Sequence, residues 1–231
     1  MSITTERSIE ACLFDAYGTL FDVHAATATV AQRIGTRWQA FSAHWRERQL
    51  QYSWIRGLTG RHADFWQVTC DALDHALEAY DLDPALHREP LLMAYRRLGA
   101  YPDVLPAIDR LRAMGLRCGI LSNGSPDMLA DAVGAAGLAD HLDPVLSVES
   151  VGRYKPAPEV YAMAAERLDL APAHVLFVSS NGWDAFSAKA YGFRVAWCNR
   201  AGLPAERLPD PPDAIVASLD ELPALAESLT G

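Results

Sequence analysis

The chain of 231 residues has no apolar run long enough to span a bilayer, and residues 1–7 contain no apolar signal core. Cysteine is scarce. Cys12, Cys70, Cys118 and Cys198 show no CxxC spacing, and Cys12 and Cys118 lie inside apolar runs. That argues against a disulfide framework and for buried free thiols in a reducing compartment, so the expectation is a soluble cytoplasmic protein. Positive charge is in deficit: 20 Lys and Arg face 29 Asp and Glu, a formal net charge of -9. Nucleic acid and anionic membrane surfaces are excluded as partners, although a small anionic substrate is not, because local site charge can oppose net charge. The seven histidines are scattered without HxxxH or other metal-like spacing, and internal repeats and low-complexity segments are absent. What remains is half hydrophobic and long enough for one large domain, or for a core with a smaller insertion.

The apolar run Ala11-Cys12-Leu13-Phe14 stops at Asp15, and Gly18 follows three residues later. The run reads as a short buried strand with a carboxylate just past its carboxyl end. An aspartate opening a turn is ordinarily only turn chemistry. At the carboxyl edge of a parallel sheet it is also a candidate nucleophile. From about residue 25 to 98 the pattern is helical, without strand-like alternation. Trp38, Phe41, Trp45 and Tyr52 share one helical face there, a spacing that predicts core packing. Beyond Tyr101-Pro102-Asp103, helices and strands alternate. Helices are expected at 103–114, 126–136, 157–168 and 183–191, and from 220 onward. Strands are expected at 116–121, 144–148, 175–178, 194–198 and 214–216. This alternation predicts an α/β fold with a doubly wound parallel sheet. Residues 1–22 with 99–231 would form the core domain, and 23–98 a helical cap inserted after the first strand.

Strand ends carry the polar groups: Asp15, then Ser122-Asn123, then the segment from Ser179 to Asp184, with Lys155 after another strand. Carboxyl ends of parallel strands converge on one edge, so these groups can meet. The stretches Asp15-Ala16-Tyr17-Gly18-Thr19-Leu20-Phe21-Asp22, Leu121-Ser122-Asn123-Gly124, Tyr154-Lys155-Pro156 and Phe177-Val178-Ser179-Ser180-Asn181-Gly182-Trp183-Asp184 resemble the motifs of the haloacid dehalogenase superfamily. The segment from Trp45 to Trp54 resembles the cap of its L-2-haloacid dehalogenases.

Two absences refine that resemblance. Phosphatases of the superfamily use magnesium and place a second Asp two residues after the nucleophile; here that residue is Tyr17. They also place an acidic metal ligand where this chain has Ser179, Ser180 and Asn181. A hard magnesium ion prefers several oxygen ligands, often carboxylates, so these losses disfavour the metal. Halide leaves without protonation, and a substrate bearing its own carboxylate is repelled by extra acidic residues. The resemblance therefore implies hydrolysis of L-2-haloacids to D-2-hydroxy acids and halide, with no metal or other cofactor. A magnesium-dependent phosphatase is the alternative.

By resemblance, Asp15 is the nucleophile, oriented and charge-balanced by Thr19 and Lys155. Ser179, Asn181 and Asp184 would position Lys155 and the hydrolytic water, and Tyr161 matches a further functional position. Arg46, Asn123 and the ring of Trp183 would cradle the halide. Ser122 and the backbone N–H groups of Ala16 and Tyr17 would hold the substrate carboxylate. Leu50, Phe65 and Trp66 would form an apolar wall. Glu47, beside Arg46, departs from the Gln expected there; it either tunes Arg46 or faces solvent. The resemblance also implies a homodimer, for which the aromatic-rich cap offers an interface.

Overall fold

The computed structural model describes residues 9–229. The N-terminal segment 1–7, read above as lacking a signal core, lies outside the described residues. The elements run β1 (Ala11–Phe14), α1 (Ala25–Ala28), α2 (Ala31–Ile34), α3 (Trp38–Thr59), α4 (Phe65–Ala79), α5 (Pro84–Arg96), α6 (Val104–Ala113), β2 (Arg117–Ser122) and α7 (Pro126–Ala135). They continue with β3 (Val145–Ser147), α8 (Pro158–Leu168), β4 (Val175–Ser179), α9 (Gly182–Tyr191), β5 (Arg194–Cys198), β6 (Ala214–Val216) and α10 (Leu222–Ser228).

The strands form one parallel sheet in the order β3-β2-β1-β4-β5-β6. β1 is wholly buried because helices cover both faces of a parallel sheet, which is why its sequence is a continuous apolar run rather than an alternating one. The chain winds outward from β1 through β2 to β3, then returns to β1's other side for β4 to β6. Strand order thus reverses between β1 and β4, and ligands bind outside the carboxyl ends at such a point. Phe14 lies level with Ile120 and Val178. Asp15 therefore leaves the sheet beside the carboxyl ends of both neighbouring strands.

Helices α1 to α5 lie between β1 and α6, and α3 packs most extensively against α4. Phe41 and Trp45 are buried in the core, with Trp38 and Tyr52 packed at its margin, as the helical spacing predicts. The indole N–H of Trp45 donates to the Thr69 carbonyl at 3.0 Å, tying α3 to α4. Asp64 caps α4 by accepting the Gln67 N–H, and Asp83 caps α5 by accepting the Ala85 N–H. The last strand-to-helix connection is tighter than expected: residues 219–221 form a 3-10 turn before α10, with Ser218 and Glu221 making a capping box. All four cysteines are buried and free. Among the described residues, no helix is long and apolar enough to cross a membrane.

Candidate active site

The turn after β1 is built around one carbonyl. The N–H groups of Thr19, Leu20 and Phe21 all donate to the Ala16 oxygen, and Gly18 takes φ +93, which side-chain-bearing residues rarely adopt. This folds Thr19 back under Asp15. The Asp15 backbone N–H donates to the Val178 carbonyl at 2.8 Å, fixing its Cα to the rim of β4.

The Asp15 carboxylate is buried and receives three donors. Lys155 Nζ reaches Oδ1 at 2.7 Å, while Thr19 Oγ1 and Asn181 Nδ2 reach Oδ2 at 3.1 and 3.0 Å. A carboxylate offers about four lone-pair sites, so roughly one remains for bond formation. Thr19 Oγ1 itself accepts the Ser180 N–H at 2.8 Å, which fixes the direction in which its proton points.

Lys155 is one of two lysines in the chain and is 1% exposed. Its three ammonium protons have three acceptors: Asp15 Oδ1, Asp184 Oδ2 at 2.6 Å and the Leu121 carbonyl at 3.1 Å. Burial opposes its charge, but the flanking Asp15 and Asp184 carboxylates outweigh burial and hold it above the ordinary lysine range. Asp184 is wholly buried; burial pushes it up, assisted by Asp15 and opposed by Lys155. Its second oxygen accepts the Tyr161 hydroxyl at 2.7 Å. Burial, followed by the Asp184 charge, raises Tyr161 well above the ordinary phenol range, so it stays a donor.

Asn123 Oδ1 accepts the Lys155 backbone N–H at 2.9 Å. That fixes the amide orientation and leaves Nδ2 as the group available to the site. Ser122 Oγ accepts the Gly124 N–H at 3.1 Å. A Cβ on Gly124 would stand 2.8 Å from the Tyr17 ring, so only glycine lets this loop approach it.

From α3, Arg46 donates to the Tyr17 carbonyl at 3.1 Å and to Gln49 Oε1 at 2.6 Å. Asp15, Tyr17, Arg46, Leu50, Phe65, Ser122, Asn123, Asn181 and Trp183 enclose a cavity of about 10 Å³, room for a single water. The N–H groups of Ala16 and Tyr17 meet no acceptor among the described residues.

The structure bears directly on three of the sequence readings. Ser179 makes no hydrogen bond to Lys155 among the described residues: its hydroxyl accepts the Asn181 N–H at 3.1 Å and so braces the residue that donates to Asp15. Trp66 is not part of the wall; it is half-buried with the Arg96 guanidinium 4.2 Å above its ring. Glu47 is exposed, which settles its open reading in favour of solvent.

Two residues escape the sequence reading. Gln49 is buried between Arg46, Thr69 and Tyr95 and sets the guanidinium's direction. Its i+3 spacing from Arg46 on one helix face was the available signal. Arg200 donates to the Thr19 carbonyl at 3.1 Å while paired with Asp103 at 2.7 Å. Nothing local in the sequence links residues that far apart.

Among the described residues no group of His, Cys, Asp and Glu is arranged to hold a metal ion.

The family model of the haloacid dehalogenase-like hydrolases matches residues 9–192. The chain is similar to (S)-2-haloacid dehalogenase 1 of Pseudomonas sp. (strain CBS-3), 47% identical over 96% of this chain and 98% of that one. It is 44% identical to (S)-2-haloacid dehalogenase 4A of Burkholderia cepacia over 96% of this chain and 97% of that one. The fold superposes on L-2-haloacid dehalogenase from Xanthobacter autotrophicus with chloropropionic acid covalently bound, at TM-score 0.86 and 39% identity, covering 95% of this chain and 98% of that one.

Proposed function

The chain belongs to the haloacid dehalogenase-like hydrolase family, and from that premise we propose that it hydrolyses short L-2-haloacids to D-2-hydroxy acids and halide. The observation that carries this reading is Tyr17, two residues after Asp15 where the superfamily's phosphatases have a second Asp, beside a buried Asp15–Asp184 pair that Lys155 Nζ balances at 2.7 and 2.6 Å. A fixed ammonium occupies the ground between the carboxylates, and the position that would protonate an oxygen leaving group is aromatic. That arrangement suits a leaving group which needs neither metal nor proton.

In the first step the Asp15 carboxylate attacks C2 from the face opposite the halogen. A C–O bond forms, the C–halogen bond breaks, and its electron pair departs with the halide. C2 inverts, which gives the D configuration. In the second step water adds to the Asp15 carboxyl carbon, the bond from that carbon to the ester oxygen breaks, the water's oxygen stays in the Asp15 carboxylate, and of the water's two protons one goes to the departing alkoxide and one to solvent. The 2-hydroxy acid leaves carrying the C2 oxygen that came from Asp15. Covalent catalysis divides one difficult hydrolysis into two easier steps.

Arg46, the Asn123 amide and the Trp183 ring receive the halide. Ser122 and the Ala16 and Tyr17 N–H groups hold the substrate carboxylate. Thr19 and Lys155 orient and charge-balance Asp15, while Asp184, steadied by Tyr161, holds Lys155. Ser179 and Asn181 fix Asp15's other oxygen and place the water, and Leu50 and Phe65 keep bulk solvent out. We assign 23–98 as the cap and 1–22 with 99–231 as the core. We further propose a cytoplasmic homodimer joined through the cap, where Leu86 and Met93 are exposed.

The test is chloride release from L-2-chloropropionate in the presence of a chelator. Release at the same rate with and without chelator is expected, and phosphate release from a generic phosphoester with magnesium is expected to be absent. Magnesium-dependent phosphate release that the chelator abolishes would instead establish the phosphatase.

The active form contains protonated Lys155, whose pKa the neighbouring carboxylates hold up. Raising the pKa of a group that must be protonated moves the alkaline limb of activity upward. The kcat/KM profile should therefore stay level until above the ordinary lysine value of about 10.4. A limb between pH 8 and 9, roughly two units below that value, would contradict the assignment.

A further inference from the structure

The cavity at Asp15 has room for a single water and lies beneath the cap, so a haloacid cannot enter it as it stands. Beside it lies a groove of about 560 Å³ between α3 and the loop before α8. Trp183 and Lys155 border this groove, and Trp183 also walls the cavity. Trp183 is therefore a wall common to the two spaces.

Helix α3 continues from one space into the other. Arg46 and Leu50 face the cavity, whereas Trp54 and Leu58 face the groove. These residues recur every four positions, so they form one stripe about 18 Å long at 1.5 Å per residue. About two thirds of the way along it, the Trp54 indole meets the Trp183 indole edge to face, with centroids 5.4 Å apart at 83°. The Trp54 Nε1 is buried without a hydrogen-bond acceptor. An indole nitrogen only donates, so closure leaves that donor unpaired, and opening gives it water or a passing carboxylate. At the outer end the groove is apolar except for exposed Arg153, which attracts an anion.

We propose that this groove is the passage by which the haloacid reaches Asp15, and that Trp54 closed against Trp183 is its gate and size filter. The proposal rests on the dehalogenase reading and concerns access to that site. Rotation of the Trp54 ring away from Trp183 joins the two spaces and admits substrate. Return of the ring excludes water before attack. The outer alkyl chain of a longer haloacid must pass the same constriction, so discrimination by chain length arises there.

Halide release from bromoacetate, L-2-bromopropionate and L-2-bromohexanoate in the wild type, Trp54→Ala, Trp54→Phe and Gly57→Leu tests this. In Gly57→Leu the new Cβ meets Tyr154 at 3.8 Å, an ordinary contact, and the rest of the side chain enters the groove. Trp54→Ala should raise kcat/KM for bromohexanoate relative to bromoacetate about tenfold, and Trp54→Phe, which keeps a ring at the constriction, about threefold or less. Gly57→Leu should lower the same ratio about tenfold through KM, with kcat for bromohexanoate reduced far less. A ratio unmoved in either folded variant overturns the gate while leaving the dehalogenase reading intact. A wild-type enzyme that releases no halide from any of the three overturns that reading and the gate with it.

Discussion

Asp15→Ala should lose halide release from L-2-chloropropionate by about 10⁴-fold or more, because the group removed is the proposed nucleophile, whose bond to C2 would replace carbon–halogen. The loss is expected without collapse of the fold. In the wild type one ammonium serves two buried carboxylates; in the variant Lys155 keeps Asp184 at 2.6 Å and Leu121 at 3.1 Å, and a repelling charge has gone. Thermal unfolding should therefore show no large destabilisation, which separates lost chemistry from lost structure. Single turnover of the wild type in heavy-oxygen water sharpens the test. The label should enter Asp15 before it enters product, since the first product oxygen comes from the aspartate. Label found directly in the product would assign the attack to water, and robust turnover by Asp15→Ala would remove Asp15 as nucleophile.

Lys155→Ala should be costly in both activity and stability. It leaves the Asp15 and Asp184 side chains, 7% and 0% exposed, without their shared cation. Breaking a buried ion pair by removing one partner costs about 3–5 kcal/mol. At about 2–4 °C per kcal/mol for a chain of this size, the melting temperature should fall by roughly 6–20 °C. Activity should drop about 10³-fold, because one of the two carboxylates is then driven to its neutral form and the nucleophile is no longer charge-balanced.

The pH dependence of that deficit has a defined sign. Burial and Asp15 already raise Asp184. Without Lys155, Asp184 loses the cation that opposes its burial and so titrates still further above the unfolded value near 4. A raised folded value contributes stability that is complete below the unfolded value and is lost as pH rises through the folded one. The variant should thus approach the wild type on acidification and fall further behind near neutrality. In the wild type the raised Lys155 value contributes stability that persists below about 10.4 and is lost only as pH climbs through its folded value. Melting curves across pH check this, and a deficit independent of pH would show that Lys155 acts through packing alone.

Much of this protein was legible before any coordinates. The sheet was, since fully buried parallel strands must be continuous apolar runs, and those of β1, β2 and β4 each stop at a polar residue on the ligand edge. Trp45 and Phe41 were legible as core because helical spacing alone puts them on one face. Asp15, Lys155 and Asp184 were legible as a group because carboxyl ends of parallel strands have nowhere to go but together.

Other features depend on distances no local pattern encodes. Trp66 differs from Phe65 by one position, yet one residue turns a helix by about 100°, and Trp66 ends beneath Arg96 rather than against the substrate cavity. Glu47 was ambiguous for the same reason until the direction of α3 set it in solvent. Ser179 lies in the motif that serves Lys155, but its hydroxyl points along the turn to the Asn181 N–H.

The sequence by itself determined the chemistry at the strand ends, because strand polarity converts order along the chain into convergence at one edge. Only the tertiary structure decided how that chemistry is supported and reached. Arg200 holds Thr19 across the sheet edge, Gln49 aims Arg46 from α3, and the Trp54 ring meets that of Trp183. Each of these depends on where helices and loops remote in sequence come to rest against one another, and packing of the whole core sets that.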